Sequence, residues 1–386
     1  MSREPTVAQL LAAGRARDAL AALAPLLAQQ PAQPTAWMHH ALAHKDLLQL
    51  PEARASIDRA LALAPQDPVI RYNRALLALL AGDDRQAWAD YEARWQLRGF
   101  PSPLRHTDCP RWQGQALPQG TLLVHTEQGI GDALQMARLL PLAAARVRLL
   151  VVEAEAEVLP LLAPLVPQAL WIARGQAIPP TQAQLPLLSL PLALGWRLRD
   201  LRPEPPYLLA PPERQAWAHA VLPAAGRGRV GLVWRGRASH VDDRWRSLSL
   251  QTLLDHLPMG PQYVSLQHQP NASEQALLRA HGVSDPTPGI RDWSDTAALC
   301  AELERVLCVD TGVAHLAAAL GRPTGILLAR VPDWRWQLDR ADSPWYPSVR
   351  LFRQPQQGAW VPALSAASQW LVAKPIDWLP VFTSDT

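Results

Sequence analysis

Cysteine, phenylalanine and methionine are scarce in this 386-residue chain, which contains three, three and four of them. The three cysteines, Cys109, Cys300 and Cys308, lack the spacing of metal ligands, and the last two lie in apolar stretches typical of buried thiols. We therefore expect no cysteine-based metal site and a reducing compartment.

An excess of charge of one sign is also missing, because 37 basic residues face 34 acidic ones and leave a formal charge of +3. This balance argues against nucleic acid as the main partner. Apolar runs such as 139–145 are far too short to cross a bilayer. The first 30 residues form an amphipathic helical pattern with Arg15, Arg17 and Asp18, unlike a secretory leader. We expect a cytoplasmic protein with no membrane span.

Proline and tryptophan are abundant, with 38 and 16 residues, and the first hundred residues repeat with a period of 34. This period is typical of tetratricopeptide helical hairpins, which we predict over residues 1–98. An alanine-rich helical bundle is the alternative. In each unit a break separates two apolar-periodic helices, at Gly14, at Leu50-Pro51 and at 82–84. The aligned positions are Pro31 and Pro65, Pro34 and Pro68, Ala41 and Ala75, Ala19, Ala53 and Ala87, and the larger Leu23, Ile57 and Tyr91.

A stack of three such hairpins exposes a concave groove suited to an extended polypeptide. The alternatives are that the helices brace the neighbouring domain or mediate dimerisation. The sequence leaves homo-oligomerisation open.

From Pro101 the pattern changes to alternating strands and helices, which predicts two Rossmann-like halves with parallel sheets. The first half, residues 99–222, begins with the strand 121–125 and a helix from Asp132 to about Arg146. A proline-rich stretch, 202–223, precedes the second half, residues 223–386, which we expect to end in a C-terminal helix. The remaining predicted strands are 148–152, 184–190, 229–234, 263–267, 305–309 and 324–329; the remaining predicted helices are 158–165, 273–280, 294–303 and 311–320.

Glycines punctuate the turn after the first of these strands, at 127–132 (EQGIGD). Gly129 and Gly131 would let a substrate approach the backbone closely. The third glycine of the dinucleotide fingerprint is absent, which argues against a nicotinamide or flavin cofactor. Asp132 has two interpretations, a helix cap or a carboxylate base.

A similar turn follows a strand of the second half, at 309–315 (VDTGVAH). Free amides at the helix start, together with the helix dipole, favour a diphosphate ligand near 311–313. His315 lies one turn into that helix. A hydrogen-bonded structural histidine is the alternative to a ligand-binding one.

Several cations follow the strand 229–234, in Trp234-Arg235-Gly236 and in the loop 240–247 (HVDDRWRS). They would neutralise a leaving pyrophosphate, whereas the alternative is a solvated charged loop. Asp242 and Asp243 are weak indicators of a metal site. In the segment 333–354, tryptophans beside arginines suit either ring stacking or packing, and packing is favoured for Trp345.

Four segments in this order resemble the heptosyltransferase-like glycosyltransferases of family 9, in the branch fused to tetratricopeptide repeats. They are 127–141 (EQGIGDALQMARLLP), 230–250 (VGLVWRGRASHVDDRWRSLSL), 309–323 (VDTGVAHLAAALGRP) and 333–354 (DWRWQLDRADSPWYPSVRLFRQ). The resemblance implies a GT-B fold and inverting transfer from a nucleotide-sugar donor, without a metal or a separate cofactor. Ala314 replaces the serine usual before the histidine, and the family's lysine corresponds to Arg244 or Arg246.

The resemblance implies Asp132 as the catalytic base. The residues expected to bind the nucleotide-sugar are Gly129, Gly131, Trp234, Arg244, Arg246, Gln267, Asp310, Thr311, Gly312, Val313 and His315. We expect the acceptor to be a protein, such as flagellin or another surface protein, presented by the repeats. The alternatives are a saccharide or lipid-linked glycan acceptor and a catalytically inactive binding scaffold.

Overall fold

The computed structural model describes residues 5–201, 206–224, 228–237 and 243–373. The chain divides into two compact units. The first comprises Met1–Arg105 and Val331–Asp339, and the second comprises His106–Arg330 and Arg340–Thr386. The boundaries at 98/99 and 222/223 stay predictions from the sequence.

The first unit is built from helices that pack on their neighbours in chain order. Proline opens two of them, where its missing amide hydrogen costs no intrahelical bond. The α-helices are α1 (Val7–Ala12), α2 (Ala16–Gln29), α3 (Pro34–Asp46), α4 (Leu50–Leu63), α5 (Pro68–Leu80) and α6 (Ala87–Tyr91), followed by a 3-10 turn, Glu92–Gln96.

Residues with positive φ recur every 34 positions in the turns of this unit. Gly14, Leu48 and Gly82 all have positive φ, at 73°, 63° and 76°. The predicted break at Leu50-Pro51 is therefore misplaced: the chain turns at 47–49, and Pro51 lies in the first turn of α4. The sequence does not indicate this turn, because leucine rather than glycine occupies the left-handed position 48.

The recurrent alanines form the helix contacts of the first unit, as their spacing predicts. Ala19, Ala53 and Ala87 are 0%, 0% and 2% exposed. The larger residues four positions later, Ile57 among them, are buried as well. Small side chains let the helices approach closely, and the large ones fill the remaining space.

The segment Val331–Asp339 belongs to this unit although it lies far along the chain. Its 3-10 turn, Trp334–Trp336, packs against α5. The ring of Trp334 meets Trp88 edge-on at 5.6 Å, and it meets Tyr91 at 6.4 Å. The first hundred residues therefore do not contain the whole core of the helical unit.

The second unit contains two separate parallel sheets, as the predicted GT-B fold requires. The first sheet has the strand order β3-β2-β1-β4, the order of a Rossmann half. Its elements are β1 (Leu117–His125), α7 (Ile130–Met136), α8 (Leu140–Ala144), β2 (Val147–Ala154), α9 (Leu159–Leu162), β3 (Leu170–Ala173), β4 (Ala183–Pro186) and α10 (Leu190–Leu194).

The second sheet has five strands in the order β6-β5-β7-β8-β9, all parallel. The helix α11 (Pro212–Val221) precedes it. Its elements are β5 (Arg229–Val233), α12 (Asp243–Arg246), α13 (Leu250–Leu254), β6 (Gln262–Ser265), α14 (Ala272–Ala280), α15 (Trp293–Ala301), β7 (Arg305–Val309), α16 (Gly312–Ala319), β8 (Thr324–Leu328), β9 (Val349–Arg353) and α17 (Trp360–Val372).

Some observed elements differ from the sequence-based prediction. The predicted strand 184–190 ends at Pro186, and a 3-10 turn and α10 follow. The predicted helix from Asp132 to Arg146 is divided by a 3-10 turn at Ala137–Leu139, and Pro141 then opens α8. The edge strands β3 and β9 were not predicted. Both are short or charged, so they carry a weak apolar signal.

Candidate functional site

The turn after β1 is closed by a one-sided cap at the start of α7. Gly129 is the N-cap residue, and its backbone amide donates to Oδ2 of Asp132 at 2.8 Å. The cap interpretation of Asp132 is thus correct in its geometry. This bond also fixes the direction of the carboxylate, so the cap and the predicted base are compatible roles.

Glu127 anchors the same turn from inside the first sheet. Its carboxylate is 4% exposed and accepts from the backbone amide of Leu188 at 3.2 Å and 3.4 Å. The turn after β1 is thereby fastened to the segment after β4. Two strand ends of the sheet hold the Gly129–Asp132 backbone in place.

The second glycine turn lies between β7 and α16. Thr311 is the N-cap residue, with extended backbone and no side-chain cap bond, and its Oγ1 is a buried atom without a hydrogen-bond partner. The first amides of α16 have no intrahelical acceptor, which makes the helix start a seat for an anion. Val313 is buried behind it.

The two glycine turns are in direct contact. A β-carbon on Gly131 would lie 3.0 Å from Cδ2 of His315, 3.5 Å from Cα of Gly312 and 3.7 Å from its amide nitrogen. Helices α7 and α16 therefore begin side by side, and Asp132 follows the contact residue directly. The predicted base and the predicted diphosphate seat share one place in the second unit.

His315 is 4% exposed, and its Nδ1 lies 2.9 Å from the hydroxyl of Tyr346. Tyr346 is buried and packs beneath the guanidinium of Arg138, whose carbon is 4.9 Å from the ring centre. His315 is therefore a hydrogen-bonded residue, as the structural alternative predicts, through its Nδ1 atom. Sequence reasoning missed Tyr346 and Arg138, although both lie inside the two quoted segments 127–141 and 333–354.

Arg246 joins the cationic loop to the second glycine turn. Its Nη1 donates to the backbone oxygen of Asp310 at 3.1 Å, and its Nε lies 3.4 Å from Oδ1 of Asp243. Arg244 is exposed, and its guanidinium carbon lies 4.5 Å above the ring of Trp245. Of the predicted loop 240–247, His240, Val241 and Asp242 lie outside the described residues.

Trp234 and Gln267 are placed in the core of the second unit rather than at a ligand surface. Trp234 is fully buried, and its indole nitrogen donates to Glu274 at 2.7 Å. The Oε1 of Gln267 accepts from the amides of Trp234 and Arg235 at 3.2 Å and 3.1 Å. The indole ring therefore has no open face for stacking, and Gln267 shapes the loop after β5.

The tryptophans of segment 333–354 are packing residues. Trp334, Trp336 and Trp345 are 6%, 0% and 3% exposed. Trp345 stacks on Trp196 with ring centres 5.5 Å apart. Packing was the favoured interpretation for Trp345 and is confirmed, and it holds for the two that were left open.

The buried cysteines behave as predicted. Cys300 and Cys308 are fully buried, and burial raises the pKa of the Cys300 thiol to about 12. Across the described ranges, no group of three or more His, Cys, Asp or Glu side chains has the arrangement of a metal site. Likewise, none of the described helices has the length and hydropathy to traverse a lipid bilayer.

Part of this site is similar to a known protein family. Residues 292–358 match the family model described as glycosyltransferase family 9 (heptosyltransferase). This stretch contains the turn 309–315 and Tyr346. The match over these residues supports the predicted enzyme class, a glycosyltransferase.

A curated relative, Protein FlbA of Caulobacter vibrioides, is 29% identical over 359 residues, which cover 85% of this chain and 60% of that protein. The chain thus spans about three fifths of the relative's length.

Among solved structures, ADP-heptose lps heptosyltransferase II of E. coli is 14% identical, with a TM-score of 0.41 over 66% of this chain and all of that one. The dodecameric glycosyltransferase TibC of E. coli is also 14% identical, with a TM-score of 0.41 over 55% of this chain and 59% of that one. Likeness at this level carries no argument about activity.

Proposed function

We propose that this chain is an inverting, metal-independent glycosyltransferase that moves a sugar from a nucleotide-sugar to an acceptor hydroxyl, on a protein bound by its N-terminal repeats. The family match of residues 292–358 supports the enzyme class. Donor, stereochemistry and acceptor are inferred from the site and from the sequence.

The contact between the two glycine turns carries this proposal. Gly131 lies against Gly312 and His315, with a hypothetical β-carbon 3.5 Å from Cα of Gly312. The carboxylate of Asp132 and the start of α16, which can bind an anion, therefore lie on either side of this contact. Sugar transfer needs this pair, because a base must face the acceptor while positive charge receives the leaving diphosphate.

The donor diphosphate would be bound by the start of α16. The amides of Gly312 and Val313, the hydroxyl of Thr311 and the guanidinium of Arg246 are the available donors. Thr311 Oγ1 is buried and lacks a partner, so a phosphate oxygen would satisfy it. Arg246 is held at the turn by the Asp310 carbonyl, and its charge would offset the charge of the departing group in place of a metal.

Asp132 would remove the proton from the acceptor hydroxyl as the oxygen attacks the anomeric carbon. The bond between that carbon and the diphosphate oxygen breaks, and the diphosphate leaves with the electron pair. Attack from the face opposite the leaving group inverts the anomeric centre. The amide of Gly129 holds the carboxylate ready for this step.

The base is tested by Asp132→Asn in the full chain. Asparagine keeps an oxygen that can accept from Gly129, so the fold should persist, while transfer should fall about 10²-fold or more. Affinity for the nucleoside diphosphate should not change. The matched control is Asp67→Asn, which alters a helix cap in the first unit. Full turnover by the Asp132 variant would remove the base assignment.

The donor is identified by thermal unfolding with ADP, UDP, GDP and CDP, each with and without its sugars. A binding diphosphate should raise the melting temperature in proportion to ligand concentration. If none of the panel stabilises the chain, the inactive scaffold becomes the better description. Inverting transfer requires that NMR of the product show the anomeric configuration opposite to the donor's.

A polypeptide acceptor is supported by the helical unit. The positive φ angles at Gly14, Leu48 and Gly82 mark equivalent turns, which is the regularity expected of tetratricopeptide hairpins. In such stacks the first helix of each hairpin lines the concave groove. His39 on α3 and Asn73 on α5 occupy equivalent positions, one period apart, and both are half-buried.

This acceptor is tested with His39→Ala combined with Asn73→Ala. Transfer to purified flagellin from the same organism should fall, while hydrolysis of the donor without acceptor should persist. Arg59→Ala, an exposed change on α4, is the control. The proposal of a polypeptide in the groove is contradicted if the double variant and the unaltered chain are equally active on flagellin. It is also contradicted if the sugar is transferred only to free saccharides.

The cytoplasm is the proposed location. The buried thiols Cys300 and Cys308 and the free Cys109 suit a reducing compartment.

A further inference from the structure

Arg138 lies two residues beyond α7, inside a cluster of aromatic rings. Its guanidinium carbon is 4.5 Å from the ring centre of Tyr207, 4.9 Å from Tyr346 and 5.7 Å from Trp345. Its Nη1 donates to the backbone oxygen of Trp345 at 2.9 Å. A cation over several rings, with a charge-assisted bond to the backbone, fixes the position of those rings.

Tyr346 passes this constraint to His315. The tyrosine is 1% exposed and places its hydroxyl 2.9 Å from Nδ1 of His315. The two rings are tilted at 58° with centres 5.7 Å apart. With Nδ1 engaged by the hydroxyl, the imidazole is held in one orientation.

The opposite edge of the imidazole faces the first glycine turn. Cδ2 of His315 is the atom nearest to a hypothetical β-carbon on Gly131, at 3.0 Å. Cδ2 is bonded to Nε2, so this edge of the ring is turned toward the turn that carries Asp132. Arg138 contacts Tyr346, Tyr346 contacts His315, and His315 contacts Gly131 in α7. We call this closed chain of contacts the circuit.

We propose that Arg138 is a positioning residue, which acts through Tyr346 to orient the imidazole of His315 at the junction of the two glycine turns. Arg138 belongs to the half that supplies Asp132, whereas Tyr346 and His315 belong to the half that would bind the diphosphate. The circuit therefore sets the alignment of base and leaving group. The role of this alignment in catalysis rests on the proposed function. The effect of Arg138 on the orientation of His315 is independent of that function.

The first measurement is the NMR spectrum of ring-labelled histidines in the full chain. The His315 signal is identified by its loss in His315→Asn. Tyr346→Phe removes the hydroxyl and should shift the ring nitrogen resonances of His315. Arg138→Met should shift the same resonances in the same direction, and Arg138→Lys should restore part of the original signal. Unchanged His315 resonances in Arg138→Met would overturn the proposal.

The second measurement is the affinity for the nucleoside diphosphate that binds best among ADP, UDP, GDP and CDP, by calorimetry. Arg138→Met and Tyr346→Phe should each weaken binding about tenfold, the effect of one lost charge-assisted hydrogen bond. The double variant should also lose about tenfold, because both changes break one chain of contacts. A loss near a hundredfold would mean independent effects and would overturn the proposal.

Arg146→Met is the matched control. Arg146 lies in the same half as Arg138 and donates to the backbone oxygen of Gly114 at 2.8 Å. It should leave the His315 signal and the diphosphate affinity unchanged, and a shift as large as that of Arg138→Met would overturn the specific role of Arg138. If the unaltered chain binds no nucleoside diphosphate, the proposed function fails, and the NMR comparison alone still decides the role of Arg138.

Discussion

The ring of Trp293 fills the space beside the α-carbon of Gly312. A β-carbon at position 312 would lie 2.8 Å from Cη2 of that ring, a distance that real side chains avoid. Trp293 is also the first residue of α15, and its amide donates to the carbonyl of Glu157 from the first half at 3.1 Å. Packing alone therefore favours glycine at 312, independently of the predicted approach of a ligand.

Gly312→Ala should weaken nucleoside diphosphate binding, because the new methyl group must displace either the tryptophan ring or the start of α16. We expect a loss of about tenfold or more, in keeping with about 1–3 kcal/mol for overpacking. Calorimetry with the stabilising diphosphate measures it. Adding Trp293→Leu makes room for the methyl group and should recover part of the affinity. No recovery would show that the glycine matters for ligand approach alone.

Trp334→Ala should destabilise the helical unit, although residue 334 lies far from residues 1–98 in sequence. Removing the ring from its contacts with Trp88 and Tyr91 should cost about 3–5 kcal/mol. Hydrogen exchange would show faster exchange in α5, which packs on this segment. Trp171→Ala, in β3 of the other unit, is the control and should leave α5 protected. Equal protection in both variants would contradict the assigned role of the segment.

Periodic features of the helical unit were predictable, because spacing alone specifies them. The buried alanines 19, 53 and 87 follow from a period of 34 without knowledge of the fold. Segment 331–339 was not predictable as part of this unit, since no local pattern reveals which distant helices a tryptophan will meet. The missed turn at Leu48 has a similar cause, as a leucine with positive φ leaves no sign in the sequence.

The candidate site divides in the same way. The turns at 127–132 and 309–315 were found from glycines placed between a strand and a helix. Their mutual contact depends on how two sheets are arranged, which the sequence does not state. The burial of Trp234 could not be predicted, because aromatic residues near a cationic loop look alike in sequence whether buried or exposed. The bond to Glu274 shows that its ring faces inward.

Stability should depend on pH through Glu274. Burial raises the pKa of this carboxyl, but hydrogen bonds from Arg235, Trp234 and the amide of Asn271 outweigh it and lower the pKa. A lowered folded-state pKa stabilises the fold above the unfolded pKa of about 4.3, and this stabilisation is lost as the pH falls through the folded value. The ion pair with Arg235 has a distance of 2.8 Å.

Glu274→Gln should therefore lower the free energy of unfolding by about 1–3 kcal/mol at pH 7. The difference from the unaltered chain should shrink below about pH 4, since the glutamate is then increasingly protonated. Urea unfolding at pH 7 and at about pH 3 measures both. Glu213→Gln, on the exposed surface of α11, should show neither effect. A gap that widens in acid would contradict the sign of the shift.

Deleting residues 1–98 should not yield a well-behaved transferase, because the deletion removes the partners of Trp334 while leaving the segment 331–339 in place. The apolar rings of that segment would become exposed, and we expect association in size-exclusion chromatography. Replacing 331–339 in the truncated chain by a glycine-serine linker should restore a monodisperse species. If simple truncation already gives a soluble chain that hydrolyses the donor at the full rate, the segment contributes nothing to holding the second unit in its active form. If instead only the linker variant is soluble and hydrolyses the donor at the full rate, the contacts between residues 1–98 and segment 331–339 have a structural role. Transfer to a polypeptide should then remain absent from both, because the repeats that present it are gone.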